Sequence, residues 1–115
     1  MGDLGCRYRD VTKPLYVYVI ASSPNRVKIG YSGDPEQRLI QLQVGSEKLL
    51  TLVHKEPVTP KWAPILEKRI HSANRHRCLH GESFNLTHEE AIGEIKFAVI
   101  RYEDEDLTRL HRTPT

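Results

Sequence analysis

The spacing of apolar and polar residues changes along this chain, and the changes mark its elements. Leu15 to Ala21 is aromatic and β-branched, as a strand would be. Alternation puts Tyr16, Tyr18 and Ile20 on one face and Val17 and Val19 on the other; these residues alone leave open which face is core. Ser22-Ser23-Pro24-Asn25 is a cluster of turn formers, and Arg26 to Tyr31 is a second short strand, close enough to return as an antiparallel hairpin. A helix is predicted from Pro35 to about Val44. Asp34 caps it, Pro35 fits its first turn, Gln37 sits at the capping-box position, and Gly45 ends it. Leu39, Leu42 and Ile40 would be its buried side.

Leu49 to His54 predicts a third strand, ended by Glu56-Pro57-Val58-Thr59-Pro60. A second helix is predicted from about Lys61 to Arg75, regular from near Trp62 to Pro64, because prolines are tolerated only in the first turn. Ile65, Leu66, Arg69, Ile70 and Ala73 carry its period. Thr87-His88-Glu89-Glu90 is a capping box opening a last helix, with Ala91, Ile92, Ile95, Ala98 and Val99 as its core stripe. The expected fold is α+β, a three-stranded antiparallel sheet flanked by helices. Residues 1–13 are expected to form an arm, 14–102 the domain and 103–115 a tail.

At 115 residues the chain suffices for one core and not for two. No apolar run approaches a membrane span, and the first residues are no signal peptide. Two cysteines make no disulfide framework, which points to a reducing cytoplasm, that of a host cell if the chain is phage-encoded. The net charge of +2 says little by itself. Its distribution says more: Arg69, His71, Arg75, His76, Arg77 and His80 crowd one segment, while acids concentrate from Glu89 to Asp106. Such a basic run is ordinarily a solvated face, but it suits phosphate contacts, which makes Arg69, Arg75 and Arg77 DNA-binding candidates. His71, His76, Cys78 and His80 match no standard four-ligand zinc spacing.

Tyr18 lies ten residues before Lys28 across the hairpin. An adjacent ammonium would lower the phenol's pKa, as a tyrosine general base requires near neutral pH. Arg38 sits mid-helix beside Leu42. Glu67 and His71 lie one turn apart on the second helix. Tyr16-Val17-Tyr18, Lys28-Ile29-Gly30, Arg38 eight residues later, Glu67-Lys68-Arg69-Ile70-His71 and Gly81-Glu82-Ser83-Phe84 form an ordered set. From about Tyr16 to Leu86 that set resembles a GIY-YIG nuclease domain, and most of all the small phage and bacterial branch that includes T5orf172-type domains.

The resemblance implies a DNA endonuclease or nickase that hydrolyses phosphodiesters with one divalent metal, Mg²⁺ or Mn²⁺. Tyr18 would be the general base and Lys28 would stabilise its phenolate. Arg38 would hold the phosphate, Glu67 the metal, and His71 would contact the phosphate or a metal-bound water. Asn85 stands near the family's downstream asparagine. Lys28 replaces the second motif's tyrosine, and Tyr31 is a candidate to supply the missing phenol. Tyr16 stands where the family has glycine, Leu42 where some members have histidine, and Ser83 where tryptophan is usual. The other reading is a weakly active or inactive DNA-binding or regulatory module on the same fold. With little chain left for a separate recognition domain, a homodimer or a partner protein would supply specificity.

Overall fold

The hairpin that turns at Ser22–Asn25 is the middle of the sheet. The structure is a computed structural model describing residues 13–111, with side chains described to residue 102. The arm expected over residues 1–13 lies almost wholly outside the described residues. Strand β1 (Leu15–Ser23) pairs antiparallel with β2 (Arg26–Ser32), Tyr18 opposite Gly30 and Ile20 opposite Lys28. Helix α1 (Pro35–Val44) follows, capped by the Asp34 carboxylate, which accepts from Gln37 N at 3.1 Å. Strand β3 (Thr51–Val58) pairs with the other edge of β1. A short 3₁₀ turn, Pro60–Trp62, leads into α2 (Ala63–Ala73). A second, Arg75–Arg77, precedes the small hairpin of β4 (Cys78–His80) and β5 (Ser83–Phe84), and α3 (His88–His111) closes the described chain.

Among the described residues the sheet has five strands in the order β3-β1-β2-β5-β4, which corrects the expected three. The two added strands are too short to show a period of two. They form because the outer edge of β2 has backbone groups to satisfy: Val27 pairs with Phe84, Lys28 with Ser83, and Ile29 N donates to Glu82 O at 3.1 Å. The third strand also lies later than Leu49–His54. Leu49 is 81% exposed, and Leu50 N is drawn to the Gln43 side chain at 2.8 Å. Pro57 is inside the strand because β3 is an edge, where a missing N–H leaves no ladder bond unmade.

One face of the sheet is the core. Val17, Val19, Ala21, Val27 and Ile29 pack against Trp62, Ala63, Leu66 and Ile70 on the α2 side and against Ala91 and Ile95 of α3. This settles the choice between the faces of β1 in favour of the valines. On the other side α1 contacts β1, β2 and β3. It buries only Pro35; Leu39 and Leu42 are half-buried and Ile40 is exposed, so it covers the sheet with one flank. The capping box of α3 forms reciprocally, Glu90 N to Thr87 Oγ1 at 3.1 Å and Thr87 N to Glu90 Oε1 at 2.9 Å. The helix runs on to His111, through most of the stretch expected as a tail, and Tyr102 packs on Trp62 with ring centroids 3.9 Å apart. Among the described residues no helix is long and apolar enough to cross a membrane.

Leu66 is fully buried in this core, and Val44 is 85% exposed. Leu66→Ala should lower unfolding stability in urea by about 2–5 kcal/mol. Val44→Ser should change it by less than about 0.5 kcal/mol. Equal effects from the two would contradict the orientation of the helices.

Candidate functional site

The site is built over Gly30. Register sets Tyr18 opposite it, and the phenol lies across the β2 backbone where a side chain would otherwise stand. A Cβ on Gly30 would come 2.6 Å from Tyr18 Oη and 2.8 Å from Cζ. It would also lie 3.2 Å from Glu82 Oε1, so the phenol and this carboxylate share the space above one glycine. Glu82 arrives there on the β4–β5 hairpin. Gly81 takes the left-handed conformation, φ +56°, that its turn requires, and the Glu82 carbonyl is tied to Ile29 N.

Tyr18 is 1% exposed. Burial pushes its phenol above the ordinary value, a hydrogen bond with Arg38 pulls it back, and the charges of Glu82 and, less strongly, Glu67 raise it again. The net direction is upward, opposite to the expectation drawn from Lys28. The cation beside the phenol is Arg38. A guanidinium has only donors, so the phenol oxygen is the acceptor in that bond. Arg38 is half-buried on α1, and its Nη1 also donates to Gln41 Oε1 at 3.4 Å. Lys28 is a diagonal neighbour of Tyr18, opposite Ile20, and is not among the groups that shift the phenol.

Glu67 projects from α2 and is half-buried. Burial raises its pKa, His71 lowers it, and Glu82 raises it. His71 Nε2 lies 2.8 Å from Ile29 O, and its ring packs on Phe84 at 5.0 Å. A carbonyl can only accept, so Nε2 carries the proton, and in the neutral ring Nδ1 is the acceptor. Tyr18, Arg38, Glu67, His71 and Glu82 thus form one connected group. It joins α1, the β1–β2 hairpin, α2 and the small hairpin.

Among the described residues no three His, Cys, Asp or Glu side chains come together to hold a metal by themselves. A Mg²⁺ site makes no such demand, because it is commonly completed by waters and substrate phosphate around one or two carboxylates. Glu67 fits that requirement. It is a hard oxygen donor in a partly desolvated setting, with a second carboxylate raising its cost of ionisation.

Tyr31 alternates onto the face opposite Gly30 and is 39% exposed, so it does not bring a second phenol to Tyr18. Asn85 is exposed, and its N–H donates to Arg77 O. Arg75 lines a cleft with Glu67, Lys68 and His71. Arg77 is held in a bidentate pair by Glu90, at 3.2 and 3.1 Å, and Arg69 faces Phe97 and Arg101 on another side. Glu82 was within the Gly-Glu-Ser-Phe string, but its part in the site needs the hairpin to be seen. The signal available was a turn glycine followed by a carboxylate outside any helix.

The family model described as the T5orf172 domain matches residues 15–99. No curated protein and no solved structure matches the chain.

Gly30→Ala should destabilise the fold by about 1–3 kcal/mol, because the added methyl meets the buried Tyr18 ring. Gly45→Ala, with nothing within 4 Å and no positive φ, should be neutral or stabilise by up to about 1 kcal/mol. Equal melting temperatures for the two would refute the close approach. For Glu67 the folded pKa lies above the unfolded one, so its stability contribution is full in acid and is lost as pH rises through the folded value. Glu67→Gln should therefore melt higher than the parent near neutral pH, without added metal, and lose that advantage in acid. Thermal melts across pH check this.

Proposed function

The chain belongs to the T5orf172 domain family, and on that premise we propose that it is a divalent-metal-dependent DNA endonuclease or nickase. The observation that carries this reading is the convergence of a buried phenol, a guanidinium, two carboxylates and an imidazole around Gly30. Phosphodiester hydrolysis asks for a positioned water, neutralisation of phosphate charge and help for the leaving oxygen. Arg38 is suited to hold phosphate oxygens through its planar fork. As its phenolate, Tyr18 accepts the proton of the attacking water, and the Arg38 hydrogen bond to its oxygen favours that ionised form. His71, fixed through Ile29 O, offers Nδ1 to a second water.

Glu67, with Glu82 nearby, would hold Mg²⁺ or Mn²⁺. When bound, that cation supplies positive charge that offsets the two carboxylates and stabilises the departing oxygen. The upward push on Tyr18 comes partly from those same carboxylates, so the phenol's basicity and the metal site are coupled. Lys28, Tyr31 and Asn85 enter the chemistry only indirectly on this reading. Specificity beyond DNA itself would come from a homodimer or a partner protein.

One observation favours a second reading, a DNA-binding or regulatory module on the same fold. The Tyr18 phenol is held neutral by its burial, which a binding protein tolerates and a general base must overcome.

Supercoiled plasmid incubated with the protein and Mg²⁺ or Mn²⁺ should be nicked or linearised, and EDTA should stop the reaction. Glu67→Ala should reduce the rate by more than about a hundredfold. If neither protein cuts, and DNA affinity is the same with and without Mg²⁺ and in Glu67→Ala, the binding-module reading replaces the nuclease. Equal cutting by both proteins would remove Glu67 from the site.

A further inference from the structure

A groove of ≈ 560 Å³ opens on the α1 side of the sheet, the side that carries Tyr18. Its floor begins at the pair Ile20 and Lys28, the next pair along the same face. Gln41 of α1 stands on one wall and accepts from Arg38 at 3.4 Å, so the groove borders the site. Three cations line it: Arg26, Lys28 and Lys48. Among the described residues, none of these three side chains has an ion pair, hydrogen bond or aromatic partner.

Outside the groove, Lys68 and Arg75 also lack a partner among the described residues, but they share their cleft with the Glu67 carboxylate, and other cations are engaged. Lys55 bonds Glu36 at 2.8 Å, Arg77 is paired with Glu90, and Lys61 and Arg101 lie over aromatic rings. Glu47 is the single carboxylate among the lining residues. Keeping three like charges together without counter-ions costs self-repulsion, and a cleft of one sign focuses its field on an incoming anion. The hydroxyls of Ser22 and Ser83 and the amide of Gln41 add neutral hydrogen-bonding groups. A repeating anion that reaches both Arg38 and this row of cations is a nucleic-acid backbone.

We propose that this groove takes the sugar–phosphate backbone of the DNA strand flanking the phosphate held at Arg38. Lys28 then acts on the substrate, as a phosphate ligand, and not on Tyr18. The proposal rests on DNA being the substrate, and it moves the main DNA contact from the Arg69–Arg77 segment to the opposite side of the sheet.

The test is fluorescence anisotropy with a labelled short duplex at several salt concentrations in EDTA, so that nothing is cut. Arg26 and Lys48 are both exposed, so Arg26→Ala/Lys48→Ala should melt like the parent. Its affinity should fall about tenfold, and the slope of log affinity against log salt should flatten by about 2, roughly 0.9 for each phosphate no longer neutralised. Lys61→Ala/Lys96→Ala, a double variant of equal charge change outside the groove, should bind within about twofold of the parent with an unchanged slope. If the parent binds DNA and the groove variant matches it in affinity and slope, the groove is not the strand path, while the nuclease reading stands. If the parent neither binds nor cuts DNA, both proposals fall together.

Discussion

The lack of a side chain at Gly30 is the constraint on which the site depends. Tyr18 is among the largest fully buried side chains, and it is not part of the valine-faced core. It finds room only because β2 presents bare backbone to it. Any larger residue at Gly30 would push the phenol away from both Arg38 and Glu82. The same glycine lets a carboxylate from a distant hairpin approach the phenol. A bare stretch of backbone thus does here what a shaped pocket does elsewhere.

The two faces of the sheet divide the work. The Val17–Val19–Ala21 face is dry, covered by α2 and α3, and supplies most of the burial. The Tyr18–Ile20 face is covered by a single half-buried helix, α1, and remains open enough for Arg38, Lys28 and the groove. Glu67 and His71 come from the helix that serves the core. They reach the site because α2 also packs against β2, where His71 bonds the Ile29 carbonyl. The core and the candidate site therefore meet on β2, with Ile29 buried in the core and Gly30 beneath the phenol.

Much of this was legible from residue order. The β1–β2 hairpin, the capping of α1 by Asp34 and of α3 by Thr87 and Glu90, and the run of α2 all followed from local chemistry. Counting residues showed that Tyr18 and Lys28 lie on adjacent strands. It could not say which cation meets the phenol, because that depends on register and on a helix packed from above. Arg38 is that cation, and the phenol is raised. The β4–β5 strands were illegible because three residues and two residues carry no alternation. Glu82 was obscured with them. Leu49 and Leu50 looked like strand because they are bulky and apolar, yet the pairing of β1 with β3 starts beyond them, at Thr51.

The ends of the sheet have a consequence for how copies of the chain can meet. At one edge β3 carries Pro57, which has no N–H to give, and the charged Lys55 and Glu56. At the other, β4 is only three residues long. Among the described residues neither edge offers a continuous row of donors and acceptors to an incoming strand, which disfavours strand addition at these edges. A sheet running unbroken from one copy into the next through β3 or β4 is therefore disfavoured, which leaves the helices and loops as the better surfaces for any contact between copies.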